Sequence, residues 1–195
     1  MPGVRRAVLA TMWLPVGAAL VLARRVLPGS GKTAGVTESV VQEVGATPEV
    51  VWGVVSDITR LGDWSPECQR CEWDSGQEPG LGATFTGHNR LGDIDWSNQS
   101  TVVEWEPQRK LTWEVRLTGP GRDMFGEEPF SRWGFSIEPT TSGSRVTQTT
   151  EDLRSEELKK ASLAFLPEVQ DRQARNLETM AATLEALAQA CEQAT

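Results

Sequence analysis

His88 is the only histidine in the chain, and so the one side chain able to exchange a proton near neutral pH without a large pKa shift. It stands at the end of an expected strand, where the mouth of a cavity would lie, which makes it the candidate general acid/base. The alternative is a hydrogen-bonded turn residue, since no nucleophile pattern accompanies it. Cys68 and Cys71 form C-x-x-C. Zinc would need two further ligands, and Cys191 and His88 stand at no motif spacing, so no metal site is expected. A thioredoxin-like pair belongs at a helix N-terminus, whereas this pair falls in a strand-like segment. Three apart on a regular strand, the two thiols would point to opposite faces. They read as structural thiols, with incidental redox chemistry as the alternative. Residues 28–33, Pro-Gly-Ser-Gly-Lys-Thr, end like a phosphate-binding loop. That loop needs glycine where Val26 stands and a helix after it, yet an alternating, strand-like segment follows. The stretch reads as a linker, and no cofactor is expected.

Large aromatic walls with a few polar groups typify small-molecule cavities. Trp64, Phe85, Trp96, Trp113 and Trp133 are the candidate wall, with core packing the alternative for each, while Trp52 reads as core. Asn98 and Arg132 sit in strands among apolar neighbours, and with His88 they are the candidate polar contacts. Strand register decides which face each of them uses. Asp57 and Asp63 read as helix caps and terminators.

The elements that must position these residues follow from periodicity. Residues 36–46 alternate as a first strand. Thr47-Pro48-Glu49 is a helix start: a hydroxyl cap, proline where an N–H is not needed, and an acid in the first turn. A second short helix carrying Leu61 and Trp64 should follow. Strands are expected over 68–73, 83–90, 94–104, 110–117, 130–138 and 144–150, with turn signals between them, which makes an antiparallel meander. Residues 118–129 are long for a hairpin connection and carry Met124 and Phe125, a length that often marks function. A short helix capped by Ser155 leads to Pro167–Gln193, one amphipathic helix with an apolar stripe at Val169, Leu177, Met180, Ala181, Leu184, Leu187, Ala188 and Cys191. The sheet is expected to curve around it.

Charge divides the chain. Residues 1–35 carry five basic side chains and no acid, while the rest hold 14 Lys and Arg against 27 Asp and Glu. An acidic body without a basic stripe argues against nucleic-acid binding. Residues 7–23 are apolar, bracketed by arginine pairs and interrupted by Pro15 and Gly17, at the lower edge of a bilayer span. Three readings of residues 1–35 stay open: a disordered tail, a membrane anchor, or an over-extended start, with Val36 as the true first residue. Residues 36–195 are expected to form one domain. Three cysteines make no disulfide framework, and a cytoplasmic protein is the simplest expectation, with membrane anchoring through 7–23 as the alternative. Eight tryptophans and no tyrosine leave no phenol for acid catalysis.

The order strand, two short helices, six-stranded meander, long C-terminal helix resembles the helix-grip fold of the START-like, or SRPBCC, superfamily. The segment Pro48-Glu49-Val50-Val51-Trp52, continued by Val55 to Glu67 with Asp57, Asp63 and Trp64, is similar to the opening of its polyketide cyclase/dehydrase-type members. Residues 85–90, Trp96 and 145–148 carry further likeness. The resemblance implies an α+β fold with about seven antiparallel strands around the last helix. It also implies a cavity between sheet and helix for an apolar small molecule. A non-catalytic binder of a lipid- or polyketide-like ligand is the first functional expectation. A cyclase, aromatase or dehydratase with His88 as acid/base is the second, and a membrane-tethered lipid handler the third. Monomer and homodimer are both open.

Overall fold

The structure, a computed structural model, describes residues 37–118, 122, 126–165 and 172–194. Seven antiparallel strands form one open, curved sheet. They are β1 (Thr37–Val44), β2 (Cys68–Trp73), β3 (Thr84–Leu91), β4 (Ile94–Glu106), β5 (Lys110–Leu117), β6 (Ser131–Thr140) and β7 (Gly143–Asp152). Their order is β1-β7-β6-β5-β4-β3-β2, so β2 to β7 run as a continuous meander and β1 closes onto the last strand. The helices are α1 (Pro48–Val55), α2 (Leu61–Trp64), α3 (Glu156–Phe165) and α4 (Arg172–Gln193), with a 3-10 turn at Ile58–Arg60 before α2. The helix-grip expectation holds.

Local chemistry explains the breaks. Thr47 caps α1 by accepting from the Val50 N–H, with Pro48 in the first turn. Asp57 caps the 3-10 turn through Thr59, and Asp63 pairs with Arg60 at 3.0 Å. Ser155 Oγ accepts from the Leu158 N–H at the start of α3. At the β6–β7 turn, Gly143 has φ +145°, and a Cβ there would lie 2.2 Å from the Val44 carbonyl oxygen. Only glycine lets that hairpin sit against the end of β1.

The core lies on one face of the sheet, under α1, α2 and α4. Met180, Leu184, Leu187 and Cys191 of α4 are fully buried, while Leu177, Ala181 and Ala188 of the expected stripe are half-buried. Among the strands, Val102, Leu111, Phe135, Ile137 and Val146 meet this stripe and the Val51, Val54 and Val55 side of α1. The expected stripe residue Val169 lies outside the described residues. So do residues 1–36, with the apolar segment 7–23 and the glycine-rich linker, and Met124 and Phe125. Among the described residues no helix is long and apolar enough to cross a membrane.

Candidate functional site

Directly opposed residues of an antiparallel pair share a face, so the register sorts every strand residue. One row runs Val102–Trp113–Trp133–Thr150–Glu38 across five strands. The next runs Ser100–Val115–Ser131–Asp152. On β3 and β2 the same face carries Phe85, Gly87 and Asn89, then Cys71 and Trp73. This is the inner face, the one covered by helices.

The inner face is graded from one end to the other. Toward α1 it is aromatic. Edge-on contacts link Trp52 to Trp105, Trp105 to Trp73, Trp73 to Phe85 and Phe85 to Trp113. Trp113 then meets Phe135, and Phe135 meets Trp64. Such packing leaves Phe85 2 %, Trp64 3 % and Trp113 8 % exposed, so these three of the expected wall residues close the aromatic end. Toward the opposite end, where β4 and β6 begin and β5 and β7 finish, the same face turns polar. It holds Asn89, Asn98, Ser131, Thr150 and Asp152 beside half-buried Trp96 and Trp133, whereas Gln148 stands opposite Phe135, toward the aromatic end. Trp133 Nε1 donates to Ser131 Oγ at 3.2 Å. Asn98 lies over Gly87, where a Cβ would be 2.7 Å from its Oδ1, so the absent side chain makes room for the amide.

Among the described residues, three buried polar atoms lack a hydrogen-bond partner: Trp64 Nε1, Asn89 Nδ2 and Gln148 Oε1. All three belong to the covered side of the sheet. An unmet donor or acceptor away from water costs about 1–3 kcal/mol, a cost that a bound molecule or water relieves. Gln148 and Asn89 were not among the candidates from sequence. The available signal was phase, because Gln148 alternates with Val146 and Asn89 with Phe85. Asp152, at the rim, is bound by Arg154 through the backbone N–H and the guanidinium, at 2.7–3.0 Å. Burial raises its pKa, but the Arg154 hydrogen bonds outweigh burial and hold it below the ordinary carboxylate value.

His88 and Arg132 do not join this set. His88 pairs with Arg70 and Ser97 on the outer face. Its Nε2 lies 3.0 Å from Arg70 Nη2 and its Nδ1 3.0 Å from Ser97 Oγ. An arginine can only donate, so Nε2 accepts and the ring proton sits on Nδ1, directed to Ser97. Glu72 lies 3.5 Å from the ring. Both nitrogens are therefore engaged on the side away from the aromatic residues. Arg132 also faces outward, bridging Glu114 at 2.6 Å and Glu151 at 2.7 Å. The hydrogen bond it donates to Glu114, more than the opposing burial, raises its pKa above the ordinary arginine value. Asp74 accepts from Thr84, Thr86 and Gln99 on the same side. Of the charged residues within strands, only Glu38 and Asp152 fall in the inner phase.

The cysteine pair departs from expectation too. Gln69 is an extra residue between the Cys68–Asn89 and Arg70–His88 pairs. That bulge shifts the alternation by one, so both thiols are buried and their sulfurs lie 3.3 Å apart. Among the described residues no group of three or more His, Cys, Asp or Glu could hold a metal ion.

The sequence matches the model of the family described as polyketide cyclase/dehydrase and lipid transport over residues 33–192. The chain belongs to that family. Solved structures share its fold at low identity. A protein from Nitrosomonas europaea superposes with a TM-score of 0.56 at 17 % identity, over 80 % of this chain and 94 % of that one. Major latex-like protein 151 from Panax ginseng gives 0.57 at 11 %, over 80 % and 96 %. A Mycobacterium smegmatis protein gives 0.56 at 14 %, over 78 % and 88 %. No curated protein matches the sequence. Polyketide cyclase/dehydrase-type domains of this kind are ligand-binding domains.

Proposed function

We propose that this domain binds a hydrophobic small molecule, lipid- or polyketide-like, with a polar end, between the inner face of the sheet and α4. The observation that carries the reading is the grading of that face. Aromatic side chains close one end, and the other presents two amides and a hydroxyl at Asn98, Asn89 and Ser131, with Asn89 Nδ2 unpartnered. The apolar body of a ligand would lie along Trp133 toward Trp113, and a hydroxyl or carbonyl would meet Asn98, Asn89 or Ser131. Burial then supplies most of the affinity, at about 25 cal/mol per Å², and the polar contacts set orientation. Family membership and the ordinary ligand class of the family support the same reading.

The cyclase or dehydratase reading with His88 as proton shuttle draws no support from this arrangement. A shuttle must come within hydrogen-bond reach of the substrate, and His88 is on the other side of the sheet. The tethered lipid handler depends on residues outside those described. The test is displacement of a fluorescent long-chain fatty acid from the purified full chain, with tryptophan quenching as a second signal. Saturable binding with one site per chain, weakened by Trp133→Ala and untouched by His88→Ala, is expected. No saturable binding of any apolar probe, lipid or polyphenol, would contradict it.

A further inference from the structure

Cys68 and Cys71 take no part in ligand binding as proposed, yet their arrangement is more than buried thiols require. Both are 4 % exposed, and the bulge at Gln69 brings them to one face of β2, an edge strand hydrogen-bonded on one side only. Their sulfurs, 3.3 Å apart, need only close to the roughly 2.05 Å of an S–S bond. Across the ladder from Cys71 is Gly87, where a Cβ would stand 3.5 Å from Sγ, so the sulfur meets no side chain there. The two thiols are also unequal in access. Cys68 contributes to the wall of an open groove of about 360 Å³ between α2, the start of β2 and α4, with Gly62, Trp64, Pro66, Ala182 and Ala186. Cys71 does not line it.

We infer that Cys68 and Cys71 are a redox-active dithiol that closes to an intrachain disulfide when a low-molecular-weight disulfide or a hydroperoxide enters this groove, with Cys68 attacking and Cys71 resolving. The hydrogen bond from Cys71 lowers the Cys68 pKa against the opposing effect of burial. The same pairing, then burial, raises that of Cys71. Cys68, on the groove wall, is placed to attack, and Cys71 behind it to resolve. With a disulfide R–S–S–R, the Cys68 thiolate attacks one sulfur, R–S⁻ leaves and takes up a proton, and a mixed disulfide remains. Cys71 then gives up its proton and attacks Cys68 Sγ, and the second R–SH departs. Two electrons and two protons pass from the pair to the reagent. With a hydroperoxide, Cys68 becomes a sulfenic acid as the alcohol leaves, and Cys71 displaces its oxygen as water.

The test uses the reduced full chain incubated with oxidised glutathione or hydrogen peroxide, quenched in acid, unfolded and alkylated with N-ethylmaleimide. The expected product has lost two of its three alkylatable thiols and two hydrogens in mass, retains alkylation at Cys191, and returns to the starting state with dithiothreitol. Trypsin cuts after Arg70, between the two cysteines, so the bond appears as two joined peptides. Cys71→Ser should stop at one glutathione held on Cys68, and Cys68→Ser should form adducts at least tenfold more slowly. Three alkylated cysteines after treatment, or oxidation spread equally to Cys191, overturns the inference. That wild-type measurement decides even where a variant fails to fold.

Discussion

Exchanging one residue on each side of the same sheet separates a ligand-binding inner face from a merely structural one. Trp133 and His88 are both half-buried strand residues on β6 and β3. Trp133 faces Trp113 and Thr150 across its neighbours, while His88 lies between Arg70 and Ser97 on the other side. A tryptophan offers about 150–250 Å² to bury. If a ligand covers about 100 Å² of it, the loss in Trp133→Ala is about 2.5 kcal/mol at 25 cal/mol per Å². That is nearly two decades in Kd. His88→Ala removes two hydrogen bonds at the outer surface and no ligand contact, so affinity should stay within about twofold. The assay is displacement of a fluorescent fatty acid, with circular dichroism confirming that both variants are folded. Equal losses in the two variants, or a loss larger in His88→Ala, would refute the assignment of faces. A turnover defect specific to His88→Ala with intact binding would restore the enzymatic reading.

Other outcomes follow from single residues. Leu184→Asp places a carboxylate at a fully buried position of α4, a cost of several kcal/mol, and should unfold the domain; a melting temperature within a few degrees of wild type would show the stripe misplaced. Asp152 has a folded pKa below its unfolded value of about 3.9, with burial outweighed by the Arg154 hydrogen bonds. Its stabilising contribution is therefore present above that unfolded value and is lost as pH falls through the folded one. Asp152→Asn should cost about 1 kcal/mol or less at pH 7, with the gap from wild type closing below about pH 4; a gap that widens in acid would reverse the sign of the argument. Deleting residues 1–35 should leave a folded domain, because their basic charge and pattern differ from the acidic body; loss of helix signal by circular dichroism would place them in the fold.

The strands were legible because alternation and turn residues agree. β2 and β5 were anticipated to the residue, and Leu111, Trp113, Val115 and Leu117 share the face their spacing implied. The site was less legible because candidates chosen by residue type ignored phase. Phe85 and His88 are three apart on one strand, and Arg132 and Trp133 are adjacent, so neither pair could line one cavity. Applied consistently, the same parity would have favoured Gln148, Thr150 and Asn89. The cysteines illustrate a different obstacle. Parity put them on opposite faces, and only the pairing with β3 shows that Gln69 is an extra residue. The aromatic chain from Trp52 to Trp64 was equally hidden, since its seven members come from seven separate elements joined by long-range contacts.

Native mass spectrometry of the full chain purified from its own host tests the central claim most directly. The account predicts a population heavier than the apoprotein by the mass of one apolar small molecule. Organic extraction should release that molecule, and Trp133→Ala should reduce its occupancy. Protein that carries no ligand, and acquires none when offered a total lipid or polyketide extract from the same cells, would contradict it.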